Sequence, residues 1–129
     1  MRVYNKWHSI IKKELKKMNL THPQFVVLAS LAYLSQNGNE ITQIMISKLS
    51  GIDVMTVSQI LGLLEKHDFV KRKEHSRDTR AKAVILNKKG EEILQKAVPL
   101  VEQIDEIFFE KLDTDEGQFK HFLVRLNEE

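Results

Sequence analysis

The chain has 129 residues, a formal net charge of +2 and 42% hydrophobic residues, which suits one compact domain with a buried core. It contains no cysteine, so disulfides, cysteine-based zinc sites and thiol redox switches are excluded. No stretch resembles a signal peptide or approaches the length of a membrane span. We therefore expect an intracellular, cytoplasmic protein with no membrane partner.

The charge is unevenly distributed along the chain. Residues 66–89 carry nine basic and three acidic side chains, a net charge of +6, whereas residues 90–129 carry a net charge of −7. A basic middle on a nearly balanced chain indicates a local contact with a polyanion such as double-stranded DNA. A solvated charged surface would account for the same distribution equally well.

Two helices are predicted at the start of the chain. Apolar residues at helical spacing, among them Trp7, predict the first from about residue 3 to residue 18. Thr21 and Gln24 then form the pattern of a capping box around Pro23, and this second helix should end near Asn37-Gly38. Because it is apolar nearly all round, we expect it to be the central helix of the core.

A pair of capped helices joined by a tight turn follows. Thr42 is placed to cap a short helix over residues 43–50, Gly51 to end it, and Asp53 to cap a helix over residues 54–67. A turn this short forces a sharp angle between the helices, as helix-turn-helix units require.

The two faces of the helix over residues 54–67 differ in composition. The inner face is a stripe of Val57, Ile60, Leu61 and Leu64. The outer face is small, polar and nearly uncharged in its N-terminal half, where an ordinary solvated helix would carry Glu and Lys. Thr, Ser and Gln are suited to base edges and phosphates, so we expect the outer face to contact DNA. Its predicted contacts are Met55, Thr56, Ser58, Gln59 and Lys66; the alternative is a merely exposed face of low charge.

Two strand patterns around a basic, polar tip predict a β-hairpin wing over residues 69–86. Such a tip can place arginine in a DNA minor groove, where narrowing strengthens the negative potential. Asp78 lies between Arg77 and Arg80 and is placed to hold one of them. The other predicted DNA contacts are Thr42, Arg72 and Lys82. A cluster of surface salt bridges, worth little energetically, is the competing interpretation.

The C-terminal third predicts two more helices. Asn87 is placed to cap a long helix from Lys88 to about residue 112, which should be kinked near Pro99. Residues 113–115 should end this helix and cap a last helix over residues 116–126. Aromatic-rich stripes on the terminal helices indicate a homodimer, with one ordinary intramolecular core as the alternative. The predicted dimer contacts are Trp7, Ile10, Ile11, Ile104, Ile107, Phe108, Phe119, Phe122, Leu123 and Leu126.

The predicted fold is mostly α with a small β-wing, in a single domain over residues 1–129. Residues 20–99 form a winged helix-turn-helix lobe, and residues 1–19 and 100–129 form dimerisation helices. This order of elements resembles the multiple-antibiotic-resistance regulator (MarR) family of winged-helix repressors. The matching pieces are Leu20-Thr-x-x-Gln24-Phe25, Ile41-Thr42-Gln43, Val57-Ser58, Leu64-Glu65-Lys66, Val70-x-Arg72, Asp78-x-Arg80, Val84-x-Leu86 and Gly90.

The resemblance implies a homodimer whose recognition helices enter successive major grooves of a palindromic operator. It also implies that Arg80 inserts into the minor groove, oriented by Asp78, and that a small aromatic or anionic effector binds between the lobe and the dimer helices. Three positions depart from the family pattern: Met45 replaces an acidic residue, Asp68 replaces a glycine before the wing, and Asn87 replaces a threonine.

We therefore predict a homodimeric, ligand-responsive transcriptional regulator, most simply a repressor, with no cofactor. A winged-helix protein-interaction module without DNA binding is the alternative, which the acidic C-terminal third leaves open. An enzyme is not expected, because the chain has no Gly-rich phosphate loop, no nucleophile–base spacing and no paired carboxylates in a plausible pocket. The five histidines lack compact metal-ligand spacing, and a zinc or effector site from His8 and His121 at the dimer region is a minor alternative.

Overall fold

The computed structural model describes residues 1–78 and 80–128, and at Thr114 the backbone alone. It is mostly helical with a small antiparallel sheet, as the sequence predicts. The helices are α1 (Arg2–Lys16), α2 (His22–Leu34), α3 (Gln43–Ser50), α4 (Val54–Lys66), α5 (Lys88–Phe109) and α6 (Glu116–Asn127). The strands are β1 (Ile41–Thr42), β2 (Val70–Glu74) and β3 (Lys82–Leu86), and short 3₁₀ turns follow α2 at Ser35–Asn37 and α5 at Glu110–Asp115.

The predicted start of α2 is confirmed in detail. The Gln24 backbone N–H donates to Thr21 Oγ1 at 3.2 Å, and the Thr21 backbone N–H donates to Gln24 Oε1 at 3.1 Å. These reciprocal bonds satisfy two donors that a helix start would otherwise leave open. Leu20 and Phe25 on either side of the cap are both buried. The chain is thereby fixed as it enters the central helix.

The helix-turn-helix forms as its capping residues predict. The side chain of Thr42 accepts from Met45 N, and that of Asp53 accepts from Thr56 N. Gly51 has φ of 76°, the left-handed conformation that ends a helix at little cost only for glycine. The axes of α3 and α4 meet at 111°, within the range of helix-turn-helix units.

A third strand is present that the sequence pattern does not predict. Ile41 and Thr42 pair antiparallel with Val84 and Ala83 of β3, so the sheet order is β1-β3-β2. Two residues are too few to show an alternating pattern, so the partner strand, not the local sequence, defines β1. The pairing attaches the wing to the residue that caps α3.

The core lies around α2, which packs against α1, α3, α4, α5 and β3. Its fully buried large side chains come from α1, α2, α3 and α4: Ile11, Leu15, Val27, Leu28, Leu31, Ile46, Val57, Leu61 and Leu64. The predicted inner stripe of α4 is confirmed, because Val57, Ile60, Leu61 and Leu64 are all buried. This packing fixes which face of α4 remains outside.

Several element ends differ from the sequence prediction. Helix α1 ends at Lys16, α4 ends at Lys66 with His67 at the C-cap, β2 begins at Val70, and α5 ends at Phe109. Asp113 ends the helical run with φ of 51°, and within the described residues neither Asp115 nor Asn87 makes the predicted side-chain cap bond. Helix α5 runs on through Pro99.

The side chain of Asn87 is instead committed to the turn before the wing. Its Nδ2 donates to the backbone oxygen of Asp68 at 3.3 Å and to Asp68 Oδ1 at 3.2 Å. Asp68 has φ of 62°, a conformation that glycine adopts more easily. Two of the three departures from the family pattern are therefore in contact, and Asn87 supports the strained turn at Asp68.

No single helix in the described residues is both long enough and apolar enough to cross a membrane. The sharply bent pair of α3 and α4 passes the same test of length and composition.

Candidate nucleic-acid interface

The exposed face of α4 begins at its N-terminus. Met55 is 72% exposed, Gln59 is exposed and Thr56 is half-buried. The Thr56 backbone N–H donates to Asp53 Oδ2 at 3.1 Å, and the Thr56 hydroxyl donates to Asp53 Oδ1. These bonds hold the pKa of Asp53 below its ordinary value, so the cap is an anion at neutral pH. Of these three side chains, Met55 and Gln59 are consequently the ones that α4 presents freely to a ligand.

Arg72 lies inside the lobe, although the sequence predicts that it faces DNA. Its guanidinium donates to Glu65 Oε1 at 2.7 Å through Nε, and through Nη1 to Gln43 Oε1 at 2.8 Å and Ser58 Oγ at 3.1 Å. The Arg72 side chain is only 20% exposed. One side chain of β2 therefore ties the start of α3 to the second and last turns of α4.

This network also occupies Ser58, another predicted DNA contact. Its hydroxyl accepts from Arg72, and its backbone oxygen lies 3.3 Å from the same nitrogen. Thr42 is committed as well, since its hydroxyl accepts from Met45 N at 3.3 Å. In this conformation Arg72, Ser58 and Thr42 orient the helix-turn-helix. The predicted contacts Lys66 and Lys82 are both exposed.

The tip of the wing presents arginine to solvent. Arg80 is 93% exposed in its side chain; its backbone N–H and its Nε donate to Asp78 Oδ1 at 3.1 and 3.4 Å. Arg77 is also exposed. The Asp78–Arg80 contact has the geometry that the sequence predicts for a carboxylate holding a wing arginine, while Thr79 between them lies outside the described residues.

Two residues that hold the wing tip, His75 and Glu40, were not singled out by the sequence. His75 Nδ1 accepts from the backbone N–H groups of Arg77 and Asp78 at 3.1 and 3.2 Å. Glu40, in the connection between α2 and β1, accepts from the backbone N–H of Ser76 at 3.1 Å and from the Ser76 hydroxyl. Glu40 and Ser76 are 36 positions apart, so no local pattern connects them.

Comparison with known proteins identifies the family to which the chain belongs. The profile of the ArnR1-like winged-helix domain matches residues 16–104. The HTH-type transcriptional regulator YdcH of Bacillus subtilis is 36% identical over 103 residues, which are 80% of this chain and 70% of YdcH. The chain belongs to the MarR family of winged-helix transcriptional regulators.

Two solved structures are similar to this chain over nearly the full length. A mutant MarR of Escherichia coli complexed with operator DNA has a TM-score of 0.86 at 22% identity, covering 98% of this chain and 89% of that one. BpsR of Bordetella bronchiseptica, whose DNA binding is regulated by 6-hydroxynicotinic acid, has a TM-score of 0.85 at 25% identity, covering 99% and 90%. The similarity extends through the terminal helices, beyond the winged-helix domain itself.

Those terminal helices carry an uncovered apolar face. None of the α6 residues that the structure describes is buried. Among the predicted dimer contacts, six are exposed: Ile10, Ile107, Phe119, Phe122, Leu123 and Leu126. Ile11 and Ile104 are instead buried in the protomer core, so a partner cannot reach them in this conformation. Trp7 and Phe108 are half-buried, and the Trp7 indole N–H donates to Asp105 Oδ1 at 2.8 Å.

The predicted histidine pair is not brought together within the protomer. His8 stacks on Tyr4 and lies 5.2 Å, centroid to centroid, from His22, whereas His121 lies against Phe122. Burial and the nearby His8 lower the pKa of His22, while Asp105 acts in the opposite direction. Over residues 1–78 and 80–128, no three His, Asp or Glu side chains gather as a metal would require.

An apolar cavity of about 400 Å³ lies among the terminal helices, lined by Val3, Lys6, Phe108, Phe109, Lys111, Leu112 and Phe119. Lys6 and Lys111 lie next to each other at this cavity, where a side-chain hydrogen bond with Lys6 and the charge of Lys6 lower the pKa of Lys111. Two adjacent cations beside aromatic rings make a setting that favours an anion with an aromatic or apolar body.

Proposed function

We propose that this MarR-family protein is a homodimeric, ligand-responsive repressor that binds a palindromic DNA operator. Helix α4 enters the major groove and the wing tip enters the adjacent minor groove. The observation that carries the proposal is the pairing of an exposed, uncharged N-terminal face on α4 with solvent-facing arginines on the wing.

Base readout falls to the free side chains of α4. Gln59 can pair with both the N6 and N7 atoms of adenine, and Met55 can contact a thymine methyl group. Arg72 and Ser58 act indirectly, because they hold α4 against α3 and β2. Arg77, Arg80, Lys66 and Lys82 contribute sequence-independent attraction to phosphates or the narrow groove, with the salt dependence that follows from counterion release.

The dimer is supported by α6. A helix of 12 residues that buries none of its described side chains is marginal alone in water. Its apolar stripe is stabilised if a second copy covers it, which also uses the exposed Ile10 and Ile107. We assign pairing to residues 1–19 and 100–129 and DNA reading to residues 20–99. Two-fold pairing then predicts half-sites about 10 bp apart.

The effector is proposed to be a small aromatic anion. BpsR, whose DNA binding is regulated by 6-hydroxynicotinic acid, is similar in structure to nearly the whole of this chain. Here the cavity with Lys6 and Lys111 offers matching chemistry on the helices that set lobe separation. Ligand lowers operator affinity only to the extent that it binds more tightly to a dimer geometry in which the lobes no longer match successive grooves than to the geometry that binds DNA.

The test is DNA binding by Arg80→Ala. A duplex of about 30 bp, selected by the wild-type protein from a random pool, is titrated by fluorescence anisotropy at several salt concentrations. We expect roughly tenfold weaker binding and a salt slope that falls by about one. Arg2→Ala is the matched control, since Arg2 is also an exposed arginine but lies at the start of α1.

Equal binding by the Arg80→Ala and Arg2→Ala variants would contradict the wing assignment. If the wild-type protein selects no duplex and its retention on heparin is insensitive to salt, the protein-interaction alternative replaces DNA binding.

A further inference from the structure

Glu40, in the connection between α2 and β1, forms hydrogen bonds to the base of the wing tip. Its Oε2 accepts from the backbone N–H of Ser76 at 3.1 Å, and its Oε1 accepts from the Ser76 hydroxyl. The same carboxylate lies 3.8 Å from His75 Nε2. Glu40 sits next to Ile41, the first residue of β1, so it is anchored by a strand that pairs with β3. We refer to Glu40, His75 and Ser76 as the wing clamp.

Hydrogen bonds of His75 extend the wing clamp to the segment that bears the arginines. The ring Nδ1 of His75 accepts from the backbone N–H groups of Arg77 and Asp78, and the backbone N–H of His75 donates to Ala81 O at 3.2 Å. The N–H of Ala81 donates to Asp78 O at 3.0 Å, which closes the turn. The segment that bears Arg77 and Arg80 is therefore folded around one imidazole ring.

The clamp is charged at neutral pH. The two bonds from Ser76 hold the pKa of Glu40 below its ordinary value, with smaller contributions from His75 and Lys73. Hydrogen bonds to a carboxylate are shorter and stronger than neutral ones. The wing tip is thus attached to the lobe by more than the ladder between β2 and β3.

We propose that Glu40 is a positioning residue for the wing and sets operator affinity without touching DNA. This inference rests on the proposed DNA-binding function. An exposed hairpin tip must lose conformational freedom when an arginine enters a groove, and that loss weakens binding. Because the clamp orders the turn before DNA arrives, less freedom is lost on binding.

Positioning of the wing by Glu40 and simple electrostatics predict opposite changes in operator affinity when Glu40 is replaced. Glu40 is an anion close to the wing, so removing it reduces repulsion from phosphates and would by itself tighten binding. If the clamp positions the wing, Glu40→Ala instead weakens binding. The sign of the change therefore separates the two effects.

The experiment compares Glu40→Ala with Glu91→Ala on the selected duplex and on a scrambled duplex. Glu91 lines the same surface cavity of about 490 Å³ as Glu40, and within the described residues it makes no side-chain hydrogen bond to the wing. Both substitutions remove one negative charge. We expect Glu40→Ala to bind the selected duplex about tenfold more weakly than Glu91→Ala. Ser76→Ala, which keeps the backbone donor, should fall between them.

A double-substitution cycle shows whether Glu40 acts through the wing arginine. In an Arg80→Ala background, Glu40→Ala should cause little further loss, since the arginine that it positions is absent. In the free protein, amide hydrogen exchange at residues 75–81 should be faster in Glu40→Ala than in Glu91→Ala, because the Ser76 N–H loses its acceptor.

Two results would overturn the wing clamp. One is binding by Glu40→Ala that equals or exceeds that of Glu91→Ala, and the other is a full, additive loss in the Arg80→Ala background. Either result leaves the proposed function intact as long as the wild-type protein binds its selected duplex. Failure of the wild-type protein to bind any duplex rejects both.

Discussion

Gly90, in the first turn of α5, lies very close to the backbone of Phe69. A Cβ atom added there would lie 2.4 Å from the backbone oxygen of Phe69 and 2.7 Å from Leu86 Cδ1. The Phe69 oxygen also accepts from the Asn87 N–H at 2.9 Å, so it cannot move away without breaking that bond. Leu86 can change its rotamer, whereas a backbone carbonyl has no such freedom.

Gly90→Ala should therefore destabilise the fold. Overpacking costs about 1–3 kcal/mol, and a clash with backbone places this substitution near 3 kcal/mol. The better helix propensity of alanine offsets about 1 kcal/mol, leaving a net loss of about 2 kcal/mol. For a chain of 129 residues this corresponds to a fall in Tm of about 8 °C. Urea and thermal unfolding at one fixed protein concentration measure it, because dimer stability depends on concentration.

Gly117→Ala is the matched control. Gly117 is also helical, in α6, and a Cβ there would meet no described atom within 4 Å. Only the propensity term applies, so we expect a gain of about 0.5–1 kcal/mol or no loss. Equal stability of the two alanine variants would refute the close approach at Gly90.

Three further substitutions test other parts of the structure. Arg72→Lys keeps the charge but loses the forked guanidinium that reaches Gln43, Ser58 and Glu65. Urea unfolding should show that the free energy of unfolding falls by about 1–3 kcal/mol, and fluorescence anisotropy should show weaker operator binding. Phe122→Ser should shift sedimentation equilibrium from dimer toward monomer, whereas Lys120→Ser, also on α6, should not. Asp53→Asn should destabilise the fold near pH 7: the folded-state pKa of Asp53 is lowered, so its contribution is present above the ordinary pKa and is lost as pH falls through the folded value. The difference in Tm from wild type should therefore disappear in strong acid.

The sequence predicts those features of the fold that local chemistry determines. The capping box at Thr21, the caps at Thr42 and Asp53, and the left-handed turn at Gly51 each depend on residues within a few positions of one another. The inner stripe of α4 follows from helical periodicity in the same way. These elements suffice to identify the helix-turn-helix, and the wing follows from the hairpin pattern after it.

The features that the sequence does not predict depend on distant partners. The strand at Ile41 exists because β3 accepts it, and Arg72 turns inward because Gln43, 29 positions away, offers an acceptor. Asn87 occupies the N-cap position, yet its amide bonds to Asp68. In each case a local pattern allows two uses of one side chain, and the tertiary environment selects between them.

These distant contacts together connect the wing to α3, α4, β1 and α5. Arg72 ties β2 to α3 and α4, Glu40 ties the tip to β1, and the backbone oxygen of Phe69 receives α5 at Asn87 and Gly90. A wing held on three sides moves with its lobe, not independently of it. Helix α5 runs from this contact to the terminal segment, so a rotation of α5 would be transmitted to the wing through Phe69. In the proposed mechanism, an effector bound among the terminal helices would act through such a rotation, provided that it binds more tightly to the rotated dimer than to the geometry that fits the operator.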